Sequence, residues 1–303
     1  MGEEAGGYAD QRGQEPDTRT MTKQRTLMVV HAHPDDEVFS TGGIIAKYAA
    51  QGYRVVVVYG TRGEAGEMHD PDLDPAEAMP RLGEIREQEV RAAAAILGVS
   101  DLYFLGYRDS GMKDSEPNQN PANFMNAPFD EATDRLVAIM GETEPQVVVT
   151  YDEEGGYGHP DHVMTHRVTV AAFERAAAEP GGPRKLYFAA RSREGFGRQI
   201  AGLKTLGLSI PWIKDDFKID EYGVPDSEIT AHIDIGAYAP LKRHALAVHR
   251  TQIQSDFFYL SLPDEAMQQF SNMEYFMRAH PPAQPGERED DLFAGIQDEE
   301  AAA

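Results

Sequence analysis

The sequence predicts an α/β fold: a Rossmann-like open, mostly parallel sheet with helices on both faces, followed by a mixed C-terminal elaboration. Three observations carry the prediction. Strand-length runs such as "YRVVVVYG" are continuously apolar, which suits parallel strands covered on both faces. Strand and helix patterns alternate from Thr26 to about Ala190. Two dense polar clusters follow strands, where open parallel sheets bind their ligands.

Residues 1–24, rich in Gly, Glu and Gln without periodicity, read as a disordered extension. "TLMVV" (26–30) is the first strand, and "TGGIIAKYAAQG" (41–52) has helical spacing closed by a glycine. "YRVVVVYG" (53–60) is the second strand. "RLGEIREQEVRAAAAILG" (81–98) is an amphipathic helix leading to the strand "LYFLG" (102–106). "FDEATDRLVAIMGE" (129–142) is helical and "QVVVTY" (146–151) a strand. A helix runs from Pro160 to about Ala178, before the strand "KLYFAA" (185–190). Beyond it, 211–235 reads as a loop and a strand, and 238–252 as a helix. Residues 25–285 form one domain, elaborated from about 190, and 286–303 an acidic tail.

Composition narrows the function. The 303 residues carry 28 basic and 51 acidic side chains, a net charge of −23. Such a surface repels phosphate backbones and anionic headgroups, so nucleic acid and membranes are not expected partners. There is no cysteine, which excludes disulfides and thiolate metal sites. The first residues lack an apolar signal segment, and no run approaches the roughly 18 apolar residues of a membrane span. A cytoplasmic chain acting on a small molecule is expected, with self-association into a homo-oligomer left open. No G-x-G-x-x-G follows the first strand, so a dinucleotide fingerprint is absent.

The polar clusters are "HAHPDDE" (31–37) and "YDEEGGYGHPDH" (151–162). His33 and Asp36 stand three apart, as do His159 and His162, with Pro160 suited to a first helical turn. Two imidazoles and a carboxylate match a catalytic zinc pattern. Either cluster alone also reads as a helix cap, but two at matched strand ends favour a metal site. Asp35 and Asp36 must diverge if one binds metal, and the sequence does not say which.

These motifs resemble the PIG-L/LmbE-type zinc-dependent N-acetylglucosamine deacetylases. The resemblance extends through "GEIREQEVRAAAAILGV" (83–99), "YRDSGM" (107–112), "HRTQI" (249–253) and "DLFAGI" (291–296), covering about residues 26 to 296. It implies His33, Asp36 and His162 as zinc ligands, one ion per chain, with Fe2+ admitted by the same donors. It also implies Asp35 as general base, His159 as electrophile or general acid, and Tyr157 as a group polarising the carbonyl. Arg86 and Asp109 match positions that hold sugar hydroxyls.

The implied reaction is removal of acetyl from an N-acetylglucosaminyl glycoside. The rival reading keeps the site and cleaves the amide of a mycothiol-like thiol S-conjugate. Ser40 resembles the deacetylases of the family, whereas "GEIREQEV" and "HRTQI" look closer to the S-conjugate amidase. A non-catalytic sugar-binding protein would need neither Asp35 nor His159. Phosphoester hydrolysis would call for basic residues that these acidic loops lack. His31 reads as a packed core histidine, and Glu37 as a support for an imidazole or for the helix dipole. His249 reads equally as a site residue or a surface helix histidine. "TRGEAGE" (61–67) reads as a flexible substrate lid.

Overall fold

A computed structural model describes residues 24–297, apart from positions 209, 212, 215 and 216. The expected N-terminal extension, bar Gln24, lies outside the described residues. The strands are β1 Thr26–His31, β2 Arg54–Thr61, β3 Asp101–Tyr107, β4 Val147–Thr150, β5 Lys185–Ala190, β6 Ala231–Asp234 and β7 Met273–His280. They form one sheet in the order β3-β2-β1-β4-β5-β7-β6, the first five parallel. Val29 at the centre pairs with Val57 on one side and Val149 on the other.

The continuous apolar runs have the expected cause, because both faces of the sheet are covered. Leu27 and Val29 enter one core, with the helices Gly42–Ala50, Leu82–Leu97 and Ala239–Leu246. Met28 and Val30 enter the other, with the helices Phe129–Thr143 and Pro160–Ala177. Each such fully buried Val or Leu contributes about 1.5–3 kcal/mol.

Connectivity places the site. From β1 the chain proceeds outward to β2 and β3, then returns to β4 on the opposite side of β1. At this reversal a crevice opens beyond the carboxyl ends of the two adjacent strands. His31 ends β1 and Thr150 ends β4, so both polar clusters open onto that one crevice.

The elaboration differs from the sequence reading in three places. β7 inserts antiparallel between β5 and β6, where the sequence pattern gives no strand. Its inward-facing Glu274 disguises the alternation. That carboxylate is buried because it caps the helix Gly42–Ala50, accepting from the N–H groups of Gly43 and Ile44 at 2.8 Å each, and pairs with Lys242 at 2.7 Å. The helix expected over 238–252 stops at Leu246, leaving 249–252 as a run of turns. Residues 286–297, read as the start of an acidic tail, fold back: Glu289 pairs with Lys185 and Arg278, and Leu292 and Phe293 are buried. Among the described residues no helix is long and apolar enough to cross a membrane.

Candidate metal centre

The first loop turns sharply. Asp35 takes a left-handed backbone conformation, φ 102°, which starts the short helix Asp36–Ser40 directly behind it. The turn folds the Asp36 carboxylate back, so that Oδ2 accepts from the His33 N–H at 2.8 Å and lies 3.5 Å from His33 Nδ1. Its other oxygen is 3.3 Å from His162 Nε2. Asp36 thus sits between two imidazoles from different loops. Asp35 faces the other way, with Oδ2 3.5 Å from Arg86 Nη2.

The second loop reaches the same point through glycines. Gly155 has φ 64°, and a Cβ there would lie 2.6 Å from the His162 Cβ. Its carbonyl, 3.1 Å from His162 Nδ1, accepts that ring's proton. His162 Nε2, the ring's other nitrogen, is buried without a hydrogen-bond partner. His33 is fixed in the opposite sense: Nε2 lies 3.2 Å from Asp161 and 3.4 Å from Asp109, so the proton is there and Nδ1 turns to Asp36. His159 caps the helix Pro160–Ala177, its Nδ1 accepting from the Asp161 N–H at 3.1 Å, which leaves Nε2 as a donor.

The donor atoms of His33, His159 and His162 lie within 4.8 Å of one another, as do those of His33, Asp109 and Asp161. His33 Nδ1 and His162 Nε2 both face the Asp36 carboxylate, at 3.5 and 3.3 Å. This donor set fits a divalent ion bound by two imidazoles and a carboxylate.

Electrostatics separates the two adjacent aspartates. Burial pushes Asp35 up to about 7, against the pull of Arg86. Burial also opposes ionisation of Asp36, but His162 and His33 outweigh it and hold that carboxylate well below the usual range. Burial works against charge on His33 too, yet Asp109, Asp161 and Asp36 raise it well above the usual imidazole value. The cluster favours a positive charge here, which a metal ion can supply as well as a proton. His159 is lowered to about 4 by burial, His33 and His162, so its ring is neutral.

Tyr157 stands over the site, more than half exposed, its ring 4.9 Å from that of His162. Burial, with Asp36, raises its hydroxyl to about 12, so it keeps its proton. Asp35, Asp36, Ser40, Tyr157 and His162 are part of the wall of a cavity of about 1200 Å³. Arg86 and Asp109 stand outside this wall, and the protein itself takes up both terminal nitrogens of Arg86 and both oxygens of Asp109. Arg86 donates to the carbonyls of Gly63 (2.8 Å) and Pro34 (2.6 Å), while Asp109 accepts from Ala65 N (3.1 Å) and Gly111 N (2.7 Å). The segment 61–67 is consequently pinned rather than a free lid.

His31 is a packed core residue, 2.8 Å from the Thr41 hydroxyl. His249 is neither exposed nor in the site. It is fully buried, with Nε2 2.8 Å from Glu37. Sequence reasoning missed Asp161, which is 0% exposed and accepts from both the N–H and the hydroxyl of Ser110 while facing His33. Its place between His159 and His162 was the available signal.

Residues 28–173 match the family described as PIG-L, GlcNAc-PI de-N-acetylase. Curated relatives align over nearly the whole chain. The 1D-myo-inositol 2-acetamido-2-deoxy-alpha-D-glucopyranoside deacetylase of Geodermatophilus obscurus is 41% identical, covering 91% of this chain and 99% of its own. The protein of that name from Acidothermus cellulolyticus is 43% identical, covering 90% and 95%. Among solved structures, the N,N'-diacetylchitobiose deacetylase of Pyrococcus horikoshii shares the fold with a TM-score of 0.54 at 23% identity, covering 90% of this chain and 86% of that one. The 4-carboxy-2-hydroxymuconate hydratase of Pseudomonas putida, at TM-score 0.53, 20% identity and coverage of 86% and 98%, shows that this fold also hosts a different reaction. Sequence identity over nearly the full chain, together with two motif-bearing loops meeting at one crevice, establishes that the chain belongs to the PIG-L family of de-N-acetylases.

Proposed function

We propose that this chain is a zinc-dependent N-deacetylase that removes acetyl from an N-acetylglucosaminyl glycoside. The inositol glycoside named for its curated relatives is the first substrate to test. The carrying observation is the divergence of two neighbours: Asp36 lies between two imidazoles, and Asp35 lies apart from them with its pKa raised to about 7.

His33 Nδ1, Asp36 and His162 Nε2 would hold the metal, and zinc suits this set, as iron(II) also does. When bound, the ion supplies a Lewis acid that polarises the acetamido carbonyl and acidifies a water. Asp35 takes the proton of the attacking water. With its raised pKa it can then deliver that proton to the departing nitrogen, so the C–N bond breaks to acetate and a free amine. Neutral His159 donates from Nε2 to the carbonyl oxygen as negative charge builds there, and Tyr157 donates from its hydroxyl. A neutral ring favours the electrophile role of His159 over that of general acid. Ser40 faces the cavity as a direct sugar contact, whereas Arg86 and Asp109 act on the sugar through the loops they order. A soluble, cytoplasmic enzyme on a small substrate is in keeping with the acidic, cysteine-free chain.

The test is amine release by the metal-loaded protein from the N-acetylglucosaminyl-inositol, other N-acetylglucosamine glycosides and a thiol S-conjugate amide. Fastest turnover of the inositol glycoside supports the proposal. Preference for the S-conjugate would reassign the chain to amidase chemistry, and no turnover across the panel would sink the hydrolase reading.

A further inference from the structure

Asp35 occupies a backbone conformation that a residue with a side chain seldom adopts, φ 102° and ψ −27°. Something must hold it there. Its N–H donates to Glu37 Oε2 at 2.9 Å, and the same oxygen accepts from the Tyr59 hydroxyl at 2.6 Å. The other carboxylate oxygen lies 2.8 Å from His249 Nε2. All three partners are sealed from water, Glu37 at 2% exposure and Tyr59 and His249 at 0%. On the opposite flank Arg86 donates to the Pro34 carbonyl and stands 3.5 Å from the Asp35 carboxylate.

His249 has no other polar task, since its Nδ1 is buried without a partner. It arrives on the 249–252 turns, which are fastened to the same edge of the molecule. Thr251 bonds Glu89 through N–H and hydroxyl at 2.8 and 2.6 Å, and Gln252 donates to the Glu67 carbonyl at 2.8 Å. The "HRTQ" stretch is therefore a strap from the C-terminal elaboration to the floor of the first loop.

We infer that Glu37, held by His249 and Tyr59, is a positioning residue: a buried bracket that keeps Asp35 in its left-handed turn and aims its carboxylate at the reacting water. Glu37 is buried and both its carboxylate oxygens are taken by Asp35, Tyr59 and His249, so it acts through Asp35 and touches no substrate. A misplaced base is costly, because a shift of about 1 Å in a reacting group lowers rate about 100-fold. The inference rests on Asp35 being the base of the proposed deacetylase.

The experiment compares Glu37→Ala, Glu37→Gln and Tyr59→Phe with the unaltered chain by metal content, kcat and KM on the N-acetylglucosaminyl-inositol, and crystal structure. Glu37→Ala is expected to keep one metal per chain and KM within about twofold, to lose kcat about 100-fold, and to release Asp35 from positive φ. Glu37→Gln keeps an oxygen for Asp35 N–H and Tyr59 at constant side-chain volume, so it recovers most of that loss. Tyr59→Phe removes one donor at constant ring volume and lowers kcat about fivefold at unchanged KM. Retention of both kcat and the Asp35 conformation in Glu37→Ala overturns the inference, as does a loss confined to KM or metal. Where Glu37→Ala does not fold, an unchanged kcat in Tyr59→Phe overturns it. If the unaltered chain turns over no substrate, the deacetylase reading fails, and the Asp35 conformation in the Glu37 variants still decides whether the bracket exists.

Discussion

Asp36 Oδ1 lies 3.3 Å from His162 Nε2, although the two residues enter the site from the ends of different strands. Neighbouring strands β1 and β4 flank the reversal in strand order, and that topology, not sequence proximity, brings the two donors together. The same turn that delivers Asp36 to the imidazoles sends Asp35 away from them.

The two donors to the carbonyl oxygen are expected to act on rate rather than metal binding. His159→Ala should lower kcat roughly 100- to 1000-fold, and Tyr157→Phe about tenfold, each with a full complement of metal. Steady-state kinetics alongside elemental analysis checks this, and a metal-depleted His159→Ala protein would move His159 into the ligand set.

Activity should have an acid limb set by Asp35. The base works only when ionised, so rate is lost as pH falls through its folded-state value, raised to about 7 by burial before any bound cation draws it down. Arg86 opposes that rise, so Arg86→Met should move the limb of kcat/KM to higher pH. A limb that stays put or moves to lower pH in this variant contradicts the assignment.

Gly155→Ala should damage the centre from outside the donor set. A Cβ there would meet the His162 Cβ at 2.6 Å and the Val163 nitrogen at 2.8 Å, on a backbone with φ 64°. Positive φ and overpacking together predict a loss of about 2–4 kcal/mol, read by denaturant unfolding, and weaker metal retention. A variant as stable as the parent would show that the loop relaxes without disturbing His162.

Much of this was legible in the sequence, for physical reasons that particular residues expose. The runs through Val29, Val57 and Val149 are apolar at every position because each strand is covered on both faces. Pro160 marks the helix start that sets His162 one turn from its cap. What stayed hidden depends on partners distant in the chain. Glu274 looks like a surface carboxylate until the N–H groups of Gly43 and Ile44 are beside it, and so β7 escapes the pattern. His249 gains its meaning only from Glu37, and Asp161 only from His33 and Ser110. The division between Asp35 and Asp36 turns on one positive φ, which side-chain identity does not announce.

That division is the centre of the account, and metal content paired with turnover in Asp35→Asn and Asp36→Asn tests it most directly. The expected result is an Asp35→Asn protein that holds one metal per chain and is slower by about 1000-fold, beside an Asp36→Asn protein that has lost the metal and the activity together. An Asp35→Asn chain without metal, or an Asp36→Asn chain that keeps it, would contradict the assignment.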